Sequence, residues 1–279
     1  MRKATLVFLA LGLVVASTAF ASNAVRISQV YGSGGNYYKC DYVELFNSSC
    51  GPVDIGGWSL QYGSATGTFG GGGGTNTFAN FVMIPAGTTI PACGYYLMKG
   101  ACSAAGLDLP VTPDIAPVAT FNASGTNGKF VLFSDQVIGR DCAAAKAALT
   151  YVDMVGYGTT ATCWEGTGAA PLSTPTTVLV RAGGGSVDTD VNSADIAGLT
   201  QPQPMHNAAG GYLNPGCMIQ CPGACCLRVS PGACIFVPAA ECTIQNGVFL
   251  GIGVPCNFGI CAEVPATKTS WGQIKTIYR

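Results

Sequence analysis

The chain is patterned for strands. Between Val25 and Tyr62 apolar and polar residues alternate with a period of two, the spacing of side chains along a half-buried β-strand. In Asp41-Tyr-Val-Glu-Leu-Phe-Asn47, Val43 and Leu45 fall on one face, and Tyr42, Glu44 and Phe46 on the other. Asn47-Ser-Ser-Cys-Gly-Pro52 is dense in turn formers, and Val53-Asp-Ile-Gly-Gly-Trp-Ser-Leu60 follows. The pattern predicts two antiparallel strands joined by a tight connection. Gly56 and Gly57 permit close backbone approach ahead of Trp58, a large apolar anchor for a core. Further strands are predicted at Phe81–Ile84, Thr88–Ile90, Gly94–Met98, Gly128–Phe133, Tyr151–Val155 and Thr176–Arg181, separated by Gly, Pro and Asn turns. Seven to nine such strands suit a β-sandwich, and alanine-rich Asp141–Ala148 reads as one helical turn. The run Gly70–Gly74 lacks the Lys-Ser/Thr that a phosphate loop needs and reads as a flexible exposed loop.

Several of these segments carry a resemblance. The opening strand Val25-Arg-Ile-Ser-Gln-Val30, a Gly-rich turn, D-Y-V-E-L-F-N over 41–47 and P-V-D-I-G-G-W-S-L over 52–60 resemble the lamin tail domain. Tyr151-Val-Asp-Met-Val-Gly-Tyr-Gly158 and Arg181-Ala-Gly-Gly-Gly-Ser-Val-Asp-Thr-Asp-Val-Asn192 resemble the closing part of extended bacterial members, so the likeness spans roughly residues 25–200. It implies an immunoglobulin-like β-sandwich and a place outside the cytoplasm. It implies no reaction.

The start of the chain agrees with that placement. Residues 1–21 read as a secretory signal peptide, with Arg2 and Lys3 as the basic region, Leu6–Val15 as the apolar stretch and Ala19-Phe-Ala21 as the cleavage pattern. The apolar stretch is too short for a comfortable span of about 20 residues, and no later stretch is long and apolar enough. The expected mature protein therefore has no transmembrane segment. Removing Arg2 and Lys3 from 13 basic residues leaves 11 against 14 acidic ones, and those 11 are scattered. Without a Lys/Arg stripe there is no nucleic-acid footprint. Few Glu and Lys among many Val, Thr, Ile, Tyr and Gly residues favour an all-β class.

Fourteen cysteines behind a signal peptide point to disulfides in an oxidising compartment. Six lie in the sandwich region (Cys40, Cys50, Cys93, Cys102, Cys142 and Cys163) and eight beyond it (Cys217, Cys221, Cys225, Cys226, Cys234, Cys242, Cys256 and Cys261). Both counts are even, so each region could close its own bonds. Local pairs Cys40–Cys50, Cys93–Cys102 and Cys142–Cys163 are the expectation, since each brackets a loop between strands. The second group has no C-x2-C pair and no histidine, which favours disulfides over zinc. Too small to bury much apolar area, this segment needs its staples for stability. Its Gly223-Ala-Cys-Cys226 start resembles the Gly-Ala-Cys-Cys repeats of secreted bacterial proteins.

Chemistry is sparse. His206 is the single histidine, no G-x-S-x-G elbow occurs, and a two-histidine metal motif is impossible. His206 is expected to be an exposed loop residue after the last strand. Asp41 and Glu44 fall on opposite faces of one strand and are expected to satisfy amides or a basic neighbour. The one constellation with ligand character is Asp188-Thr-Asp190-Val-Asn192 followed by Asp195, whose alternating oxygen donors would suit Ca²⁺. It departs from an EF-hand, with Ser193 in place of the loop Gly and Leu199 in place of the bidentate Glu. The competing reading is a polar turn that caps its own backbone. No other cofactor is implied. Asn47-Ser-Ser49 and Asn122-Ala-Ser124 fit the glycosylation pattern but are expected to be bare in a bacterial chain.

The expected layout is a signal peptide over 1–21, a lamin-tail-like sandwich over 25–212, a cysteine-rich disulfide module over 216–262, and a linker with a short C-terminal helix over 263–279. In that tail Ser270 and Gln273 form a capping box, and Trp271, Ile274, Ile277 and Tyr278 a helical stripe. The reading is a non-catalytic secreted or cell-surface binding or structural protein, its partner an extracellular protein or polysaccharide. Two alternatives stand beside it: an accessory module of an extracellular hydrolase or nuclease, and a carbohydrate-binding module using Tyr37, Tyr38, Tyr95, Tyr96 and Trp164.

Overall fold

In chain order the strands are β1 (Val25–Tyr31), β2 (Cys40–Asn47), β3 (Val53–Asp54), β4 (Ser59–Ser64), β5 (Phe81–Met83), β6 (Thr89–Ile90), β7 (Tyr95–Cys102) and β8 (Gly128–Phe133). They continue as β9 (Tyr151–Tyr157), β10 (Thr177–Arg181), β11 (Ile196–Thr200), β12 (Pro222–Leu227), β13 (Cys234–Pro238) and β14 (Gly247–Ile252). Short helices are α1 (Cys142–Ala147), α2 (Asn192–Asp195), α3 (Pro215–Met218) and α4 (Ala239–Ile244). This computed structural model describes residues 24–262 except 33–36, 72–79, 118–119, 231 and 258. The segments read as a signal peptide and a C-terminal helix, and most of the glycine run, lie outside the described residues.

Two antiparallel sheets form the sandwich, ordered β11-β10-β1-β2-β7 and β5-β4-β8-β9. Their inner faces share one core. Val25, Ile27, Val30, Val43, Leu45, Met98 and Leu179 come from the first sheet, and Leu60, Tyr62, Val82, Phe130, Leu132, Val155 and Tyr157 from the second. A bulge between Ile27 and Gln29 shifts the β1 register, which is why Val30 faces inward alongside Ile27 despite odd spacing. The helical turn forms where alanines predict it, with the Asp141 side chain accepting from the Ala144 amide.

Two expectations are corrected. First, the hairpin predicted across Asn47–Pro52 does not form. β2 pairs with β1 and β7, β3 pairs with β6, and β4 joins the opposite sheet. The turn residues carry the chain from one sheet toward the other, where Trp58 packs against the shared core. Second, β2 is covered on both faces. Tyr42, Glu44 and Phe46 are all buried, because Met205 packs with Tyr42 and the region of Cys217 and Cys221 packs with Phe46. Asn47, expected to be bare, cannot accept a glycan. It is wholly buried, and its Nδ2 donates to the carbonyls of Gly51, Ile90 and Pro91 at 2.8, 3.1 and 2.9 Å.

All fourteen cysteines pair, but not region by region. Cys40 bonds Cys102, not Cys50, because the antiparallel β2–β7 register sets them opposite each other. Cys93 bonds Cys217 and Cys50 bonds Cys221. The turns carrying Cys50 and Cys93 are neighbours: the Cys93 amide donates to the Ser49 carbonyl at 3.1 Å, and Cys93 Sγ lies 3.6 Å from Cys221 Sγ. Cys142 bonds Cys163. The small sheet β13-β12-β14 and α4 close with Cys225–Cys242, Cys226–Cys261 and Cys234–Cys256. Two disulfides therefore join this cysteine-rich unit to one end of the sandwich.

That connectivity predicts a gel pattern. A single protease cut within 208–213 should give one species without reductant and two with it. Separation of the two pieces without reductant would overturn the cross-links.

Candidate functional site

Two of the four residues read as a calcium loop, Asp188 and Asp195, contact a cation that the chain itself supplies. Arg181 ends β10 with its side chain fully buried. Its Nε donates to the Ile27 carbonyl at 3.0 Å, and its Nη2 donates to both Asp153 oxygens at 2.9 and 3.1 Å. Nη1 donates to Asp188 at 2.8 Å and reaches Asp195 at 3.5 Å. The second Asp188 oxygen lies 3.0 Å from Arg26 Nε. Asp195 closes the loop by accepting from the Thr189 amide at 2.8 Å, the Thr189 hydroxyl at 2.7 Å and the Val191 amide at 3.3 Å. Burial opposes its charge, yet these donors and Arg181 hold its carboxyl below the usual range.

The other two predicted ligands go elsewhere. Asn192 is buried, donating to the Met154 carbonyl at 2.8 Å and Glu165 at 3.0 Å while its oxygen accepts from the amides of Gly156 and Glu165. Asp190 is exposed and lines a shallow recess of about 220 Å³ with Lys146, Tyr151 and Glu165. Asp188 and Asp195 thus converge on Arg181, whereas Asp190 and Asn192 do not. Oxygens of Asp153, Glu165 and Asp188 lie within 4.8 Å of one another. The Arg181 guanidinium bonds two of those three residues and so already brings a positive charge among them. Sequence reasoning missed Arg181, Asp153 and Glu165, because their mutual contacts arise only when the sheets meet.

Glu165 sits at the edge of this cluster. Burial, and then the nearby Asp153 charge, push its carboxyl up to about 9, while the Tyr151 hydroxyl bonded to it pulls the other way. It also accepts from the Met154 amide at 3.2 Å.

A second site lies where the sandwich meets the cysteine-rich unit. Tyr95, from the start of β7, donates its hydroxyl to the Gly184 carbonyl at 2.7 Å. Asn214 donates to Tyr95 Oη at 2.9 Å and to the Gly183 carbonyl at 2.8 Å, while its oxygen caps α3 at the Cys217 amide. Gly183 and Gly184 both have φ of 64°, a left-handed conformation that turns their carbonyls into this network and that glycine adopts at little cost. His206 stacks on Tyr212 with ring centroids 4.0 Å apart and planes at 15°, and on Tyr95 at 4.6 Å. His206 is therefore not the exposed loop residue expected. Its side chain is mostly covered, its amide donates to Glu44 at 2.7 Å, and its Nδ1 lies 3.4 Å from the same buried carboxylate. Glu44 and Asp41 hold amides, His206 for the first and Ala123 for the second.

These rings border a recess of about 310 Å³ that also involves Gln29, Gln203 and Asn214. Of the aromatics proposed for sugar contact, Tyr38, Tyr95 and Tyr96 are buried, and only Tyr95 reaches this recess. Tyr37 and Trp164 are half-buried elsewhere. Tyr212, which sequence reasoning passed over, is 46% exposed.

The family model of the lamin tail domain matches residues 18–195. Among solved structures, the chain is similar to a DUF4876 family protein from Bacteroides thetaiotaomicron, at 10% identity and a TM-score of 0.41, covering 67% of this chain and 74% of that one. No curated protein matches.

Two outcomes test the acid cluster. With Arg181 already supplying the positive charge, the melting temperature should be the same in calcium and in chelator. A calcium-dependent rise lost in Asp188→Ala would restore the ion. Glu165 should make stability fall as pH rises. The folded chain keeps a proton that the unfolded chain loses above about 4.5, so its contribution is full below that value and is lost as pH approaches about 9. In a melting series over that window, Glu165→Gln should flatten the profile. An unchanged slope would refute the assignment.

Proposed function

The chain belongs to the lamin tail domain family, and on that premise we propose that it works outside the cytoplasm, secreted or at the cell surface, as a non-catalytic binding protein. The observation that carries this reading is the joint made by Cys50–Cys221 and Cys93–Cys217. A reducing cytosol would open such bonds, and with them the fixed placement of the cysteine-rich unit. A rigid joint between two units is what a binding surface built across them needs.

The non-catalytic half rests on how the reactive groups are engaged. His206 faces a buried carboxylate and two tyrosine rings, with no serine or cysteine nucleophile bonded to it among the described residues. The carboxylates that could serve hydrolysis are bonded to Arg181. No helix among the described residues is long and apolar enough to cross a membrane. A carbohydrate-binding role is favoured over a hydrolase accessory by the open Tyr212 recess.

Fractionation of a producing cell, with thiol titration of the denatured protein, tests the placement. The expected result is protein at the surface or in the medium with no titratable thiol before reduction. Cytoplasmic protein with reactive thiols would overturn it. Metal-dependent phosphodiester turnover abolished by His206→Ala would overturn the non-catalytic assignment.

A further inference from the structure

We propose that the recess formed by Tyr95, His206 and Tyr212 binds an uncharged saccharide, as one subsite of a longer groove for a neutral glycan. The proposal rests on the binding reading above and specifies its ligand.

A sugar ring presents an apolar C–H face and hydroxyls that both donate and accept. A matching site needs an open aromatic face, free polar atoms of both kinds and no exposed charge. The recess meets each requirement. His206 backs one face of Tyr212 at 4.0 Å, and Tyr212 remains 46% exposed. Three polar atoms at the recess make no hydrogen bond among the described residues: Tyr212 Oη, His206 Nε2 and Gln203 Oε1. Gln203 is held in place by its Nε2, which donates to the Thr200 carbonyl at 2.7 Å. No Asp, Glu, Lys or Arg lines the recess.

The groove does not stop there. A larger recess of about 660 Å³ shares Val180, Gly183 and Gly184 with the first and runs along β11 to Leu172 and Leu199. Its charged lining groups, Arg181 and Asp195, are buried and paired with each other. Both volumes fall in the range of ordinary ligand sites. With no unpaired charge in the lining of either recess, the groove offers an acidic polymer no counter-ion, and free polar atoms at the rim select against purely apolar ligands.

The site is also held rigid before any ligand arrives. Tyr95 and Asn214 fix each other and the Gly183–Gly184 carbonyls, and Cys93–Cys217 fastens the same corner covalently. Little ordering is left for binding to impose.

Affinity gel electrophoresis of the full chain in laminarin, xylan, dextran and hydroxyethyl cellulose tests the idea, with alginate as the anionic comparison. At least one neutral glycan should retard the protein and alginate should not. Tyr212→Ala should weaken retardation by about tenfold, Tyr212→Phe should keep most of it, and Trp164→Ala, outside the recess, should leave it intact. The melting temperature of Tyr212→Ala should fall by no more than a few degrees, because the ring is only partly covered, by His206 and Tyr95. Retardation that survives Tyr212→Ala, or that Trp164→Ala removes, would move the glycan site elsewhere and overturn the recess. Retardation by no neutral glycan, or by alginate alone, would overturn the saccharide. So would an extended uncharged peptide whose binding Tyr212→Ala abolishes. None of these results alters the fractionation that tests placement outside the cytoplasm.

Discussion

A buried guanidinium organises one end of this sandwich. Arg181 has no access to water, so every one of its contacts must be met from within. The partners come from three places: the Ile27 carbonyl on β1 of the same sheet, Asp153 on β9 of the opposite sheet, and Asp188 and Asp195 on the loop that follows. Meeting those contacts ties the two sheets together and draws residues 182–195 back over this end of the core. A buried ion pair of this kind is weak evidence for stability, since desolvation consumes much of its attraction. Its clearer effect is on specificity, because few other arrangements of this loop would leave four charges paired.

The consequence reaches the candidate site. Folding back from Arg181 puts Gly183 and Gly184 under Tyr95 and Asn214, and Asn214 in turn caps the helix bearing Cys217. A hydrogen-bonded chain thus runs from the buried charge to the disulfide joint. Each disulfide would close a long loop, with separations of 171 and 124 residues, worth about 5 kcal/mol apiece by chain entropy alone. The two are not additive. Once Cys50–Cys221 has closed, the shortest chain path from Cys93 to Cys217 drops from 124 residues to about 47, so the second bond is worth roughly 1 kcal/mol less by the same entropy, and it also fixes the orientation of the joint.

What could be read from the sequence was local. Alternation in Asp41–Asn47 marked β2 and its inward faces Val43 and Leu45, and the motifs around Trp58 indicated the family. Which strand paired with which could not be read, because turn formers at Asn47–Pro52 suit a hairpin and a crossing between sheets equally well. Cysteine pairing failed for the same reason at Cys40, Cys50, Cys93 and Cys102, whereas Cys142–Cys163 formed as expected. Even counts on each side permit local closure, and only the adjacency of the Cys50 and Cys93 turns shows why Cys221 and Cys217 reach across. Asp188, Asp190, Asn192 and Asp195 have ligand spacing, yet nothing local shows that an arginine seven residues before Asp188 supplies the charge.

The recess illustrates why such sites escape local reading. Tyr95 lies in β7, His206 and Tyr212 lie in the segment that leaves β11, and each alone has an ordinary explanation as core or loop. Together they make an aromatic corner because Glu44, buried on the supposedly outward face of β2, accepts from the His206 amide and draws that segment across the sheet. A polar residue at a covered position is costly unless bonded, so Glu44 both requires this strap and positions it. The alternation that predicts strand β2 therefore also contained the anomaly that places the rings of the recess.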